Sequence, residues 1–118
     1  METIQDFKSR NLLIGRFYFK KTQTGNLVGE FSHNGSVTNF TESADINDYN
    51  KDFIGIYYTT WQENSEPHSA NLKIEFKPNT GDRIYKLSWT ENDTELFFGE
   101  GFLCDNILIG DYRNFKIS

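Results

Sequence analysis

ELFFGEGFLCDNILIGDYR, residues 95–113, is rich in the β-forming residues Phe, Ile, Leu and Tyr and is interrupted once by the polar residues CDN. The segments on either side, residues 95–103 and 107–113, have the usual length of β-strands. Because the connection between them is so short, we expect the two strands to pair antiparallel as a hairpin.

The same pattern continues through the rest of the chain. Apolar residues recur at period two between turn signals such as Asn34-Gly35, and no segment keeps a helical period for about ten residues. The sequence therefore predicts an all-β fold, with six further strands at residues 12–20, 26–33, 36–42, 53–62, 70–77 and 83–91.

Two segments fall outside this pattern. Residues 42–52 are acidic and lack alternation, so they are predicted to form the longest loop, with one turn of helix as the alternative. Residues 1–11 are predicted to be an N-terminal extension. The length of 118 residues fits a single domain spanning residues 1–118.

Eight sequential antiparallel strands are best closed as an up-and-down (meander) β-barrel, because closure leaves no exposed sheet edge. A β-sandwich is the alternative. Glycine inside a strand permits the sharp coiling that a small barrel requires. The barrel is favoured by six such glycines: Gly15, Gly29, Gly55, Gly99, Gly101 and Gly110.

The first strand resembles that of the calycin superfamily, which includes the lipocalin, fatty-acid-binding and avidin-like barrels. IGRFYF supplies Gly15, Arg16 and Phe17 where calycins often carry Gly-x-Trp or Gly-x-Phe, and Arg113 stands where lipocalins place a basic residue over that aromatic ring. The resemblance implies a barrel with a possible cavity and does not identify a ligand. The chain departs from the family in lacking the lipocalin disulfides and any room in KTQTGN for the helix pair of fatty-acid-binding barrels.

Composition argues against several partners. The net charge of −5 opposes attraction to nucleic acid or anionic lipid, and nowhere do about 18 apolar residues run together as in a membrane helix. Cys104 is the only cysteine, so no intrachain disulfide can form. Together with the absence of an apolar export signal, this predicts a cytoplasmic protein that binds neither nucleic acid nor membrane.

No cofactor or metal is predicted. His33 and His68 adjoin turns without a metal-ligand spacing, and the acidic segment lacks the central glycine and alternating oxygen ligands of an EF-hand loop. The sequence also contains neither a nucleophile elbow nor a glycine loop leading into a helix.

Glu100 raises a question, since it lies between two glycines in an apolar run, and a buried carboxylate is costly unless it is paired. If it points into the barrel, Arg16, Arg83 or Tyr57 are candidate partners. Three interpretations stay open at this point: an exposed or structurally paired side chain, a ligand anchor, and a general acid with a raised pKa.

Aromatic side chains with polar tips suit a ligand pocket, although they suit a solid core equally. The predicted ligand-binding residues are Tyr57, Trp61, Trp89, Glu100, Tyr112 and Arg16.

The leading functional hypothesis is a non-enzymatic barrel that binds a small apolar or aromatic molecule in the barrel mouth. The alternative is a protein-interaction module, possibly a homodimer, that uses an exposed ring such as Phe97 or Tyr58. An enzyme that uses Glu100 with Tyr57 is the third hypothesis.

Overall fold

The computed structural model describes residues 12–81 and 83–116, and these form a closed antiparallel barrel. Each strand pairs with the next along the chain, and the first also pairs with the last. The up-and-down barrel is confirmed, and the sandwich is excluded. The strands are β1 Ile14–Lys21, β2 Leu27–His33, β3 Phe40–Lys51, β4 Ile54–Glu63, β5 Glu66–Phe76, β6 Tyr85–Glu91, β7 Thr94–Cys104 and β8 Ile107–Arg113.

The predicted extension, residues 1–11, lies outside the described residues, so the single domain of residues 1–118 stays a prediction. Within the described ranges no helix is long and apolar enough to cross a membrane.

Four hairpins have two-residue connections, and three of these connections are turns of one type. Both central residues of each turn have positive φ, which is the conformation of a type I′ turn and matches the right-handed twist of the strands. Asparagine and aspartate tolerate this conformation better than other non-glycine residues. The turns are Asn64-Ser65, Asn92-Asp93 and Asp105-Asn106.

The prediction that residues 42–52 form the longest loop is wrong, because β3 runs through them from Phe40 to Lys51. The register of β3 against β4 shifts between Ile46 and Asp48 and again between Tyr49 and Lys51. Each shift inserts an extra residue and breaks the period of two, which hides the strand from a search for alternation.

Side chains alternate between a ring-filled interior and the outer surface along β1, β4 and β6. Two of the in-strand glycines make room for interior rings. A β-carbon at Gly15 would lie 2.4 Å from the Tyr112 ring, and one at Gly99 would lie 3.1 Å from the Trp89 ring. The glycine-lined side of β7 therefore faces inward.

The interior has two distinct ends. The Phe53 end carries the β3–β4 turn, and there the Tyr57 hydroxyl donates to the Phe53 carbonyl at 2.8 Å while the Phe76 and Tyr85 rings pack 4.9 Å apart. The Glu42 end carries the β4–β5 turn and contains the candidate site.

Candidate functional site

Glu42 is a carboxylate inside the barrel. It lies on the inward side of β3, two residues before the buried Ala44 and directly across from Trp61 of β4. Only 5% of Glu42 is exposed. Because a carboxylate is seldom buried without a partner, its surroundings define the candidate site.

Two side chains donate hydrogen bonds to one oxygen of Glu42. The Thr59 hydroxyl reaches Oε2 at 2.5 Å from β4, and the Trp89 indole Nε1 reaches it at 3.0 Å from β6. No residue in ranges 12–81 and 83–116 donates to the other oxygen, Oε1. The carboxylate is therefore held in place while the described residues leave part of its hydrogen-bonding capacity unused.

Burial raises the pKa of Glu42 from 4.5 to about 7, although the hydrogen bonds from Thr59 and Trp89 act in the opposite direction. Desolvation disfavours the ionised form, and the two donors recover only part of that cost. Glu42 consequently changes charge close to neutral pH.

Glu42 borders a small cavity, which we call the Glu42 cavity, of about 20 Å³. That volume accommodates one water-sized group. Leu13 and a second carboxylate, that of Glu63, complete the wall together with aromatic rings. The rings are those of Phe17, Phe31, Trp61, Trp89, Phe97 and Tyr112.

Most of these rings meet edge to face. Phe97 lies 5.7 Å from Tyr112 and 6.4 Å from each tryptophan, and Phe31 lies 6.3 Å from Trp61. Such contacts stabilise a packed wall beyond the effect of burial alone. The cavity is thus enclosed by a packed layer of aromatic rings.

Glu63 connects the cavity to the rim of the barrel. Its Oε2 lies 3.2 Å from His33 Nε2, while the His33 Nδ1 accepts the Gly35 N–H at 3.1 Å. The histidine is therefore in the tautomer that donates from Nε2 to Glu63. Burial raises the pKa of the Tyr112 hydroxyl, and the charges of Glu63 and Glu42 raise it further.

An open groove of about 830 Å³, which we call the rim groove, begins beyond Trp61. The Trp61 ring stacks on His68 at 5.5 Å and also forms part of the wall of the Glu42 cavity. Phe40 and Tyr58 contribute further rings to the groove. Trp61 therefore lines both a small interior cavity and a large surface groove.

Three of the predicted ligand-binding residues come together at this site: Trp61, Trp89 and Tyr112. The fourth ring, that of Tyr57, is fully buried at the Phe53 end and makes no part of the cavity wall.

The two predicted charged residues lie on the outer surface. Glu100 is half-buried there and pairs with Lys77, whose Nζ lies 2.8 Å from its Oε2. Arg16 is exposed on the outer side of β1. Glu100 therefore does not point into the barrel but forms an ion pair on its outer surface. Glu100 and Tyr57 lie on opposite faces of the sheet, so they do not form the hypothesised catalytic pair.

Arg113 also lies on the outer side, next to Phe98, whereas the Phe17 ring points inward and packs 5.9 Å from Trp89. The lipocalin-like stacking of a basic residue on the first-strand ring is therefore not formed by these two side chains.

Sequence reasoning missed both carboxylates of the cavity. Glu42 lies where the predicted strand 36–42 meets the predicted loop 42–52, although Phe40, Glu42, Ala44 and Ile46 alternate as one face of a strand. That short alternation is the signal that could have found it. His33 adjoins the Asn34-Gly35 turn as the sequence indicates, but its side chain is mostly buried against Glu63 and Phe40.

The described residues contain no cluster of three or more His, Cys, Asp or Glu side chains arranged to hold a metal ion. No protein family, curated protein or solved structure matches the chain at a significant level.

Proposed function

We propose that this protein is a non-enzymatic, calycin-like barrel that binds a small molecule with an apolar or aromatic body at the Glu42 end. The observation that carries the proposal is the buried Glu42 carboxyl group, which borders a cavity and has one oxygen without a hydrogen bond from any described residue. In a purely structural core, an apolar side chain of similar volume would avoid the cost of desolvating a carboxylate.

The dimensions of the two cavities define how such a molecule would lie. The Glu42 cavity accepts one water-sized group, whereas the rim groove of about 830 Å³ accommodates the body of a drug-sized ligand. A ligand would place a small polar head against Glu42 and its aromatic or apolar body against Trp61, Phe40 and Tyr58. Rotation of the Trp61 indole away from His68 would join the two spaces.

Tryptophan fluorescence tests this proposal, because Trp61 and Trp89 both line the Glu42 cavity. We expect saturable changes in emission on titration with a matched series of phenylalkyl amines and alcohols, starting with benzylamine and benzyl alcohol. Trp61→Ala should weaken binding by about tenfold, since an aromatic contact of this kind contributes roughly 1 kcal/mol or more.

Tyr57→Phe is the matched control, because Tyr57 lies at the Phe53 end and should leave the affinity unchanged. The proposal is abandoned if no member of the series produces saturable binding. Native mass spectrometry of freshly purified protein provides an independent check, in which a mass above that of the bare chain identifies a retained ligand.

Self-association is a second candidate function, and the outer wall provides its specific support. Phe102 is 52% exposed and pairs across the sheet with the exposed Ile109, which is followed on β1 by Tyr18. Tyr58 is also exposed, at 51%, but Phe97 points inward and cannot serve as the surface ring. Exposed apolar side chains in one row are typical of a contact surface.

Sedimentation over a range of concentrations tests this second candidate. A homodimer through the row of Phe102 and Ile109 predicts a mass that rises with concentration and a monomer for Phe102→Ser. A strict monomer at all concentrations contradicts it.

We also propose a reducing location such as the cytoplasm, which is supported by the exposed free thiol of Cys104.

A further inference from the structure

We propose that the head group bound in the Glu42 cavity is a primary ammonium ion, so that the ligand is a small aromatic or apolar amine. This inference rests on the proposed function and specifies the chemical class of the ligand. It follows from the charge, the size and the aromatic lining of the cavity.

The charge of the cavity wall selects a cation. Glu42 and Glu63 both border the cavity, and among the described residues that line it there is no lysine or arginine. Since His33 already donates to Glu63 from the rim while its Nδ1 accepts a backbone hydrogen bond, it is arranged as a neutral donor. An anionic head group would be repelled here, and a neutral one would leave the two carboxylates uncompensated.

The aromatic lining also favours a cation. The electron-rich faces of tryptophan and tyrosine attract an ammonium ion within about 6 Å, most strongly where water is excluded. Trp61, Trp89 and Tyr112 are all nearly fully buried around the cavity. A ring that turns its face toward the bound head group adds an attraction that an alcohol of the same shape does not receive.

Size distinguishes one kind of ammonium from another. The cavity of about 20 Å³ admits one group the size of water, which an –NH₃⁺ head matches and a trimethylammonium head exceeds. An –NH₃⁺ group also carries three N–H donors, and Oε1 of Glu42 is an acceptor that no described residue occupies. A primary amine therefore satisfies the available acceptor, the charge and the volume together.

Binding of a cation beside Glu42 stabilises the ionised carboxylate, so protons are released when an amine binds near neutral pH. The titratable groups that face this position are Glu63, Tyr112 and, through Glu63, His33. We expect the affinity for an amine to increase between pH 6 and pH 8, whereas the affinity for the matching alcohol should change little.

Isothermal titration calorimetry at pH 8 tests the proposal on the full chain. The probes are benzylamine, benzyl alcohol and benzyltrimethylammonium, followed by the 2-phenylethyl and butyl amine and alcohol pairs. In at least one pair the amine should bind at least about tenfold more tightly than the alcohol. Benzyltrimethylammonium should bind more weakly than benzylamine.

Three variants assign the preference to the cavity. Glu42→Gln should abolish the preference for amine over alcohol, Glu63→Gln should reduce it, and the external control Glu100→Gln should leave it unchanged. Circular dichroism establishes that each variant is folded. If Glu42→Gln does not fold, the Glu63→Gln variant tests whether the amine preference arises in the cavity. Glu63 is partly exposed at the rim, so its substitution should disturb the fold less.

The outcomes separate the two proposals. Equal affinity for amines and alcohols in every pair overturns the ammonium head group while the ligand-binding barrel stands. Absence of binding by both classes overturns both proposals. An amine preference that persists undiminished in the folded Glu42→Gln or Glu63→Gln variant also overturns the inference.

Discussion

The two ends of the barrel interior both bury polar atoms, but among the residues that the structure describes only the Glu42 end buries a carboxyl group. At the Phe53 end, the Tyr57 hydroxyl donates to the backbone carbonyl of Phe53. At the Glu42 end, the carboxylate is held by Thr59 and Trp89 beside a second carboxylate, that of Glu63. Glu42 therefore allows its end of the barrel to change its charge, and with it its hydration and its preference for a ligand, around neutral pH.

The largest expected effect is on the pH dependence of stability. Since the pKa of Glu42 is raised from 4.5 to about 7, the folded state binds more protons than the unfolded state in that interval. The contribution of Glu42 to the free energy of unfolding should therefore be largest below about pH 4.5. This contribution should fall by about 3 kcal/mol as the pH rises to 7. Urea unfolding at pH 5 and pH 8, followed by tryptophan fluorescence, measures the difference.

Glu42→Gln is the control for this effect, because glutamine keeps the shape and an acceptor oxygen without the charge. The free energy of unfolding of this variant should fall much less between pH 5 and pH 8 than that of the wild type. At pH 8 the variant should be more stable than the wild type. A decrease of the same size in Glu42→Gln would assign the pH dependence to other groups.

A smaller effect is expected at Trp89, whose indole N–H donates to Glu42 Oε2. Trp89→Phe keeps a ring in place but removes the donor, so the ionised carboxylate loses one of its two hydrogen bonds. We expect a loss of about 2 kcal/mol in the free energy of unfolding at pH 8 and a smaller loss at pH 5, where Glu42 is protonated. Equal losses at both pH values would show that packing alone accounts for the change.

The smallest effect is expected at the Phe53 end. Tyr57→Phe removes a buried hydrogen bond to the Phe53 carbonyl and should lower the free energy of unfolding by about 1 kcal/mol, equally at pH 5 and pH 8. Tyr58→Phe is the matched control, since Tyr58 is half-exposed on the outer surface and should change little. A loss at Tyr57 that depended on pH would remove the distinction between the two ends.

Most of the fold could be predicted from the sequence because turns and strand alternation are specified by residues close together along the chain. Turn residues and alternation located most strands, and β8 occupies the predicted residues 107–113. Where a bulge interrupts the alternation, as after Ile46 in β3, the same reasoning predicted a loop.

The candidate site could be predicted only in part because its residues come together from distant parts of the chain. Both faces of β7 are apolar, so the outward direction of Glu100 depends on the inward packing of Gly99 against Trp89 from β6. The burial of Glu42 likewise depends on Trp89, which is 47 residues away along the chain. Tryptophan and tyrosine could be chosen as candidate cavity residues by type, but no sequence pattern specified which carboxylate they would surround.

The pairing of β1 with β8 has a consequence for how the chain folds. Ile14 lies opposite Arg113, so this contact joins segments at the two extremes of the described chain. Hairpins closed by two-residue turns can form early from neighbouring segments, whereas the β1–β8 contact carries the largest loop-closure entropy in the barrel. The seam between these strands should close last, and until residues 107–113 have emerged from the ribosome, β1 remains an open edge that other chains can reach.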